Sequence, residues 1–212
     1  MIFRTRREIC AVNERILFIY PPTPFHVEQY FFQWYQVMEA GTMNESINEL
    51  IKNKKYHDAL IILEEHLAGH PADVIAYFQS GRCLYHMGKY QAAKDILLKG
   101  YSIEKNNKFI LSFLFKSLMK LHEYEDAYTI GKERLKIDSE NEFVISEFLD
   151  ILSRTHRDDD VIKFAESHMN AALKSEKIYL KIKKIYFKLK KTAELSLYID
   201  MIAEQNPENV YF

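Results

Sequence analysis

Val74–Asn107 reads VIAYFQSGRCLYHMGKYQAAKDILLKGYSIEKNN. Tyr77, Ser80-Gly81 and Leu84 come first, Gly88-Lys89-Tyr90 follows, and Ala93 and Leu97 close the set. A step of 34 residues shows that the stretch is not alone. Tyr90 maps back to Tyr56 and forward to Tyr124, and Ala93 maps to Ala59 and Ala127. Leu84 maps to Leu50, Leu118, Leu152 and Tyr186. Pro71 and Pro207, both at unit ends, lie four steps apart. The phase holds without insertion over five units: 40–73, 74–107, 108–141, 142–175 and 176–209.

An aromatic, then Gly, then Tyr, then Ala, at this period, resembles the tetratricopeptide repeat, a helix–turn–helix of 34 residues. Ser80 stands where that family prefers Leu, and Lys105 where it prefers Pro. The resemblance implies an all-α fold, a right-handed superhelical solenoid of antiparallel helix pairs. It also implies that the first helix of each pair lines a concave groove where a partner peptide lies. Two helices cross closely only where a small side chain lets the backbones approach, and Gly81, Ala59, Ala93 and Ala127 supply that room. No single repeat buries its own apolar face, so stability comes from stacking.

Composition agrees. The chain has 212 residues, 48% hydrophobic, with only six Gly and five Pro, which suits helices joined by short loops. Charged residues make up 28% and the net charge is -1, so no global field favours nucleic acid or a membrane surface. Two cysteines, Cys10 and Cys83, make no disulfide framework, and Cys83 is expected as a small buried thiol. No apolar run approaches the ~18 residues of a membrane span. The expected location is cytoplasmic, with the nucleus as the other reducing compartment.

Local signals place the elements. Thr42-Met43-Asn44-Glu45 and Ser139-Glu140-Asn141-Glu142 read as capping boxes, and Gly69-His70-Pro71 as a helix stop. Asp158-Asp159-Asp160 is expected to cap the next helix. In that fourth unit Val161 replaces the small Ala and Asp158 the Tyr, which predicts looser packing. Residues 1–39 lie outside the pattern. There Thr23 and Pro24 open a candidate capping helix, FHVEQYFFQWYQVMEA, centred on Trp34. The expected domains are thus an extension with an aromatic capping helix (1–39), a five-repeat array (40–209) and a short tail (210–212). Met43, inside the first box, is an alternative start.

No catalytic constellation emerges, and no cofactor or metal is expected. His66 and His70 are four apart, but a helix stop intervenes and Leu67 stands where a metalloprotease needs Glu. No phosphate loop, nucleophile elbow or Cys-x-x-Cys pair occurs. The informative positions are on the first helices. Lys177, Lys181, Lys184, Lys188 and Lys191 are spaced 4, 3, 4 and 3 and form one stripe, with Ile178, Ile182 and Ile185 on the other side. Equivalent places hold Asn48; Gln79, Arg82 and His86; Phe109, Phe113, Lys116 and Lys120; and Phe143, Glu147, Asp150 and Arg154. The groove is expected to be aromatic in the middle and basic toward its C-terminal end, and to bind an acidic peptide or helix. The plain alternative is a solvated Lys face, partly neutralised by Glu147 and Asp150. Family members that dock chaperone tails use a clamp of Lys, Asn and Arg. Asn48 fits one place, but Phe109 and Phe113 replace cations, so that ligand is not expected here.

The two ends carry surplus apolar surface, around Trp34 and at Leu197 and Ile199. One reading buries one of them in a two-fold homodimer; the other folds each end back on its own chain.

Overall fold

In the computed structural model the described residues are 45–205. The Trp34 helix, the Thr42 box, Cys10 and the 210–212 tail lie outside them. Eleven helices follow in order among the described residues: α1 (residues 45–52), α2 (Tyr56–Gly69), α3 (Val74–His86), α4 (Tyr90–Ile103), α5 (Lys108–Lys120), α6 (Tyr124–Ile137), α7 (Glu142–Arg154), α8 (Asp158–Ser167), α9 (Met169–Lys174), α10 (Glu176–Lys188) and α11 (Thr192–Gln205). The described residues contain no strand. The chain divides into two compact units between Lys54 and Lys55. On α1, in the first, Ile47 and Ile51 are buried.

From α2 to α8 the second unit alternates two kinds of helix start. The first helices α3, α5 and α7 begin after Asp73, Asn107 and Asn141. Each of these side chains accepts from the two backbone N–H groups two and three residues on, at 2.9–3.4 Å. The cap of α7 is therefore Asn141, not Ser139 as the box suggested. Asp138 fixes the Asn141 amide at 2.8 Å. The second helices start differently. Lys55, Lys89, Glu123 and Arg157 precede them and make no side-chain cap. The Asp158–Asp160 run thus begins α8 rather than capping it.

What replaces the cap is the turn before it. Lys54, Gly88, His122, His156 and Lys190 all have positive φ, between 53° and 76°, and recur every 34 residues. The N–H after each of the last four, at Lys89, Glu123, Arg157 and Lys191, bonds the carbonyl five residues back, at 2.9–3.3 Å. This is the Schellman closure, which needs one left-handed residue. Only Gly88 takes that conformation without steric cost.

Packing in the second unit is continuous from Ala93 to Ile202. The close crossings use alternating partners. In the 74–107 pair Gly81 faces Leu97, and a Cβ on Gly81 would come within 2.4 Å of the Leu97 side chain. One repeat on, the same two positions hold Phe115 and Gly131, and a Cβ on Gly131 would come within 3.2 Å of the Phe115 ring. Large and small have changed places across one crossing. Ala93, Ala127, Val161 and Ala165 are all fully buried. The fourth repeat is therefore not loose at Val161. It departs instead at His168, where the second helix divides into α8 and α9. There the Ser167 hydroxyl and the His168 N–H both donate to the Phe164 carbonyl, at 3.0 and 3.1 Å.

Candidate partner-binding face

The first helices of the second unit bring an aromatic run together. Phe78 lies 5.3 Å from Phe109 and 5.8 Å from Phe113, ring to ring. Tyr85 and His86 meet Phe113 at 5.6 and 6.0 Å, and Tyr56 stacks on His86 at 5.4 Å. Phe109 is 53% exposed and Phe143 is 71% exposed, so neither serves the core. Ammonium groups sit over these rings: Lys108 over Phe109 at 5.3 Å, Lys116 over Phe113 at 5.3 Å and Lys177 over Phe143 at 5.4 Å.

Between Phe109 and Phe143 lies a hollow of about 360 Å³ formed by α5, α6 and α7. Its wall includes Lys116, Val144 and the Arg134–Glu147 ion pair, closed at 2.6 Å. Arg134 is buried and also stacks on Phe115 at 5.0 Å, so its charge is fixed in place by Glu147 and an aromatic face.

His86 sits at the end of the aromatic run. Its pKa lies below the ordinary imidazole value, first because partial burial disfavours the charged ring and then because Arg82 and Lys116 repel a proton. The neutral imidazole is thus favoured within a cationic surround. Cys83, on the same helix, is fully buried and its thiol is pushed up to about 11 by burial, so it is an inert core residue.

The expected contact residues divide on placement. Phe109, Lys116 and Phe143 line the one hollow. Phe113 packs into the aromatic run beside it, and Lys120 is exposed with its ammonium over Tyr90 at 6.0 Å. Arg82 is half-buried, and Lys177, Lys184 and Lys188 are exposed. Asn48 is exposed on α1. Two differ from expectation. Gln79 is buried, at 6% exposure, and belongs to the helix packing. Lys181 is not a free cation: its ammonium donates to Asp150 at 2.7 Å and to the Ser146 carbonyl and hydroxyl at 2.7 and 2.8 Å. It ties α10 to α7. Glu147, the other expected partner of the stripe, pairs with Arg134 instead. At the C-terminal end Leu197 is 64% exposed while Ile199 is half-buried; Trp34 lies outside the described residues.

Sequence spacing missed Phe78, Tyr56 and Lys108. The only available signal was that Phe78 shares its repeat position with Ser112, Ser146 and Leu180, a position that faces the next first helix. Among the described residues no cluster of three or more His, Cys, Asp or Glu could hold a metal, and no helix is long and apolar enough to cross a membrane.

Comparison with known proteins fits this geometry. The family described as "Anaphase-promoting complex, cyclosome, subunit 3" matches residues 52–132, less than half of the chain. No curated protein matches by sequence. Among solved structures, MamA (residues 41 to the end) from Desulfovibrio magneticus RS-1 superposes with a TM-score of 0.65 at 13% identity, covering 81% of this chain and 97% of that one. YrrB, described as a TPR protein with an unusual peptide-binding site, gives 0.63 at 15% identity over 78% of this chain and 85% of its own. The first TPR of Spaghetti (RPAP3), bound to the HSP90 peptide SRMEEVD, gives 0.53 at 15% identity over 56% and 97%. The described residues have the all-α fold of tetratricopeptide-repeat proteins.

Proposed function

We propose that this tetratricopeptide-repeat chain is a non-catalytic scaffold that binds a segment of another protein on its first-helix face. In this reading residues 40–209 form the array, residues 1–39 an extension that caps it, and 210–212 a tail. Peptide binding is what two of the similar structures are described as doing, YrrB and the Spaghetti repeat. The observation that carries the reading is local. Two highly exposed phenylalanines, Phe109 and Phe143, flank one hollow, each with a lysine ammonium over its ring. Exposed aromatic surface with a cationic rim suits an acidic segment with one aromatic or aliphatic anchor. The role is that of a scaffold or assembly chaperone in the cytoplasm.

The test is an array of acidic peptides, each with one Phe or Leu, against the full chain. Selected peptides should lose at least tenfold in affinity on the Phe109→Ala, Phe143→Ala chain. Lys116→Glu with Lys177→Glu should weaken them further and flatten their salt dependence. Affinity untouched by both variants would remove the face from the account.

A second reading makes the chain an oligomerising subunit. It rests on Leu180, Phe187, Leu197 and Met201, all 42–64% exposed on the last two helices. Sedimentation separates the two: a dimer at tens of micromolar that Leu197→Glu dissolves supports the second, a monomer the first.

A further inference from the structure

In the second unit α6 and α8 leave a second opening, of about 520 Å³. Its cause is legible by comparison with the preceding pair of second helices. Between α4 and α6 the seam is closed at both ends. Lys94 meets Glu123 at 2.8 Å, and the Tyr101 hydroxyl donates to Glu133 at 2.7 Å. One repeat on, Tyr128 and Arg157 stand for the first couple and stack at 4.1 Å, so that end stays closed. Leu135 and Ser167 stand for Tyr101 and Glu133, and they form no such bridge. The helix also divides at His168, directly after Ser167. A cleft opens where the bridge is lost.

The floor of the cleft is apolar. Phe148 and Leu152 rise from α7, and Phe164 lies 5.0 Å from Phe148. The rim is cationic: Lys132, Lys136 and Lys163 are exposed and form no ion pair among the described residues. The only acid on the lining, Asp160, lies 3.9 Å from the Arg157 guanidinium. Three ammoniums without an acid partner among the described residues, that of Lys132 lying over the Tyr128 ring at 5.5 Å, surround an aromatic floor and complement one kind of occupant.

We propose that the α6–α8 cleft is a second docking site, taking one aromatic side chain from an acidic protein segment. The side chain fills the volume that the Tyr–Glu bridge occupies one repeat earlier. Flanking carboxylates meet Lys132, Lys136 and Lys163.

The repeat itself supplies the test. Leu135→Tyr with Ser167→Glu restores the bridge and closes the cleft with a pair the fold already accommodates. The probe is a fluorescent heptapeptide, Glu-Glu-Asp-Phe-Asp-Glu-Glu, read by anisotropy. To keep the cleft apart from the first-helix face, the full chain carries Phe109→Ala and Phe143→Ala throughout. That chain should still bind the probe, and closing the cleft should weaken binding at least tenfold with the melting temperature unchanged or raised. If the bridged chain melts early, Lys132→Glu with Lys163→Glu replaces it, with the same expected loss. No binding to the chain with an open cleft, or equal binding with the cleft open and closed or with its lysines intact and reversed, overturns the proposal while leaving the first-helix face untouched.

Discussion

Tyr198 is buried to 2% exposure, and its hydroxyl meets no hydrogen-bond partner among the described residues. Burial pushes its pKa well above the ordinary phenol value. A buried polar group without a partner is destabilising, whereas its ring, stacked on Tyr186 at 5.8 Å, is not. Tyr198→Phe should therefore raise stability, by about 1 kcal/mol in denaturant melts; a loss of that size would mean the hydroxyl has a partner. His86 gives a pH dependence. Its folded pKa lies below the unfolded one, so between the two only the unfolded chain takes up the proton. Stability is full above the ordinary imidazole value of about 6.5 and declines as pH falls through the folded value. His86→Gln should flatten that decline in melts between pH 7 and 5. The same residue shows the limit of spacing as a guide. The 34-residue step placed His86 among the groove positions, but not its neutralisation, which depends on Lys116 of the following first helix.

At the scale of helices and turns, the left-handed position is the clearest signature, and it is nearly invisible in the sequence. Gly88 announces a turn; His122, His156 and Lys190 at the same place do not. A non-glycine left-handed residue costs roughly 1–2 kcal/mol, part of which glycine returns through its freer unfolded chain. His156→Gly and Lys190→Gly should each raise the melting temperature modestly, and a lowered one in both would show that the turn is not where strain lies. The helix crossings make a sharper claim. Gly81 has no room for a Cβ because Leu97 fills it. Gly81→Ala should destabilise the parent but be tolerated, or stabilise through helix propensity, once Leu97→Ala has emptied the site. A double-mutant cycle should read a coupling of about 1 kcal/mol or more; additivity would break the pairing. Reading each column for small residues found Gly81 and the alanines. It missed the exchange of Leu97 and Gly131 because the exchange exists only between columns. The break at His168 had no signal, since Ser167 and His168 look ordinary in a helix. For Lys181 the spacing left two readings open, a groove cation or a lysine neutralised by Asp150 on the neighbouring helix, and the structure has the second.

Over the second unit as a whole, the period alone carried the fold, because first helices open at Val74, Lys108, Glu142 and Glu176 as the step of 34 requires. Stability in such an array is close to a sum of repeat and neighbour terms, so regions open independently. The terms are unequal. Helix α5 buries six residues, from Ile110 to Leu118, and sits between α4 and α6. Helix α11 has Leu197 and Met201 at 64% and 42% exposure, and α10 has Leu180 and Phe187 at 50% and 56%. Between these regions lies the interruption at His168, where the helical ladder is broken. Native-state hydrogen exchange should therefore find α10 and α11 opening together, at a lower free energy than α5 to α7, with the change in protection falling near His168. Lys181→Met should lower the opening free energy of α10 and α11 further, because it removes the contact from α10 to Asp150 and Ser146, and leave α5 almost unaffected. Uniform protection from α5 to α11, unchanged by Lys181→Met, would mean that the unit opens as one body and that the break at His168 does not divide it.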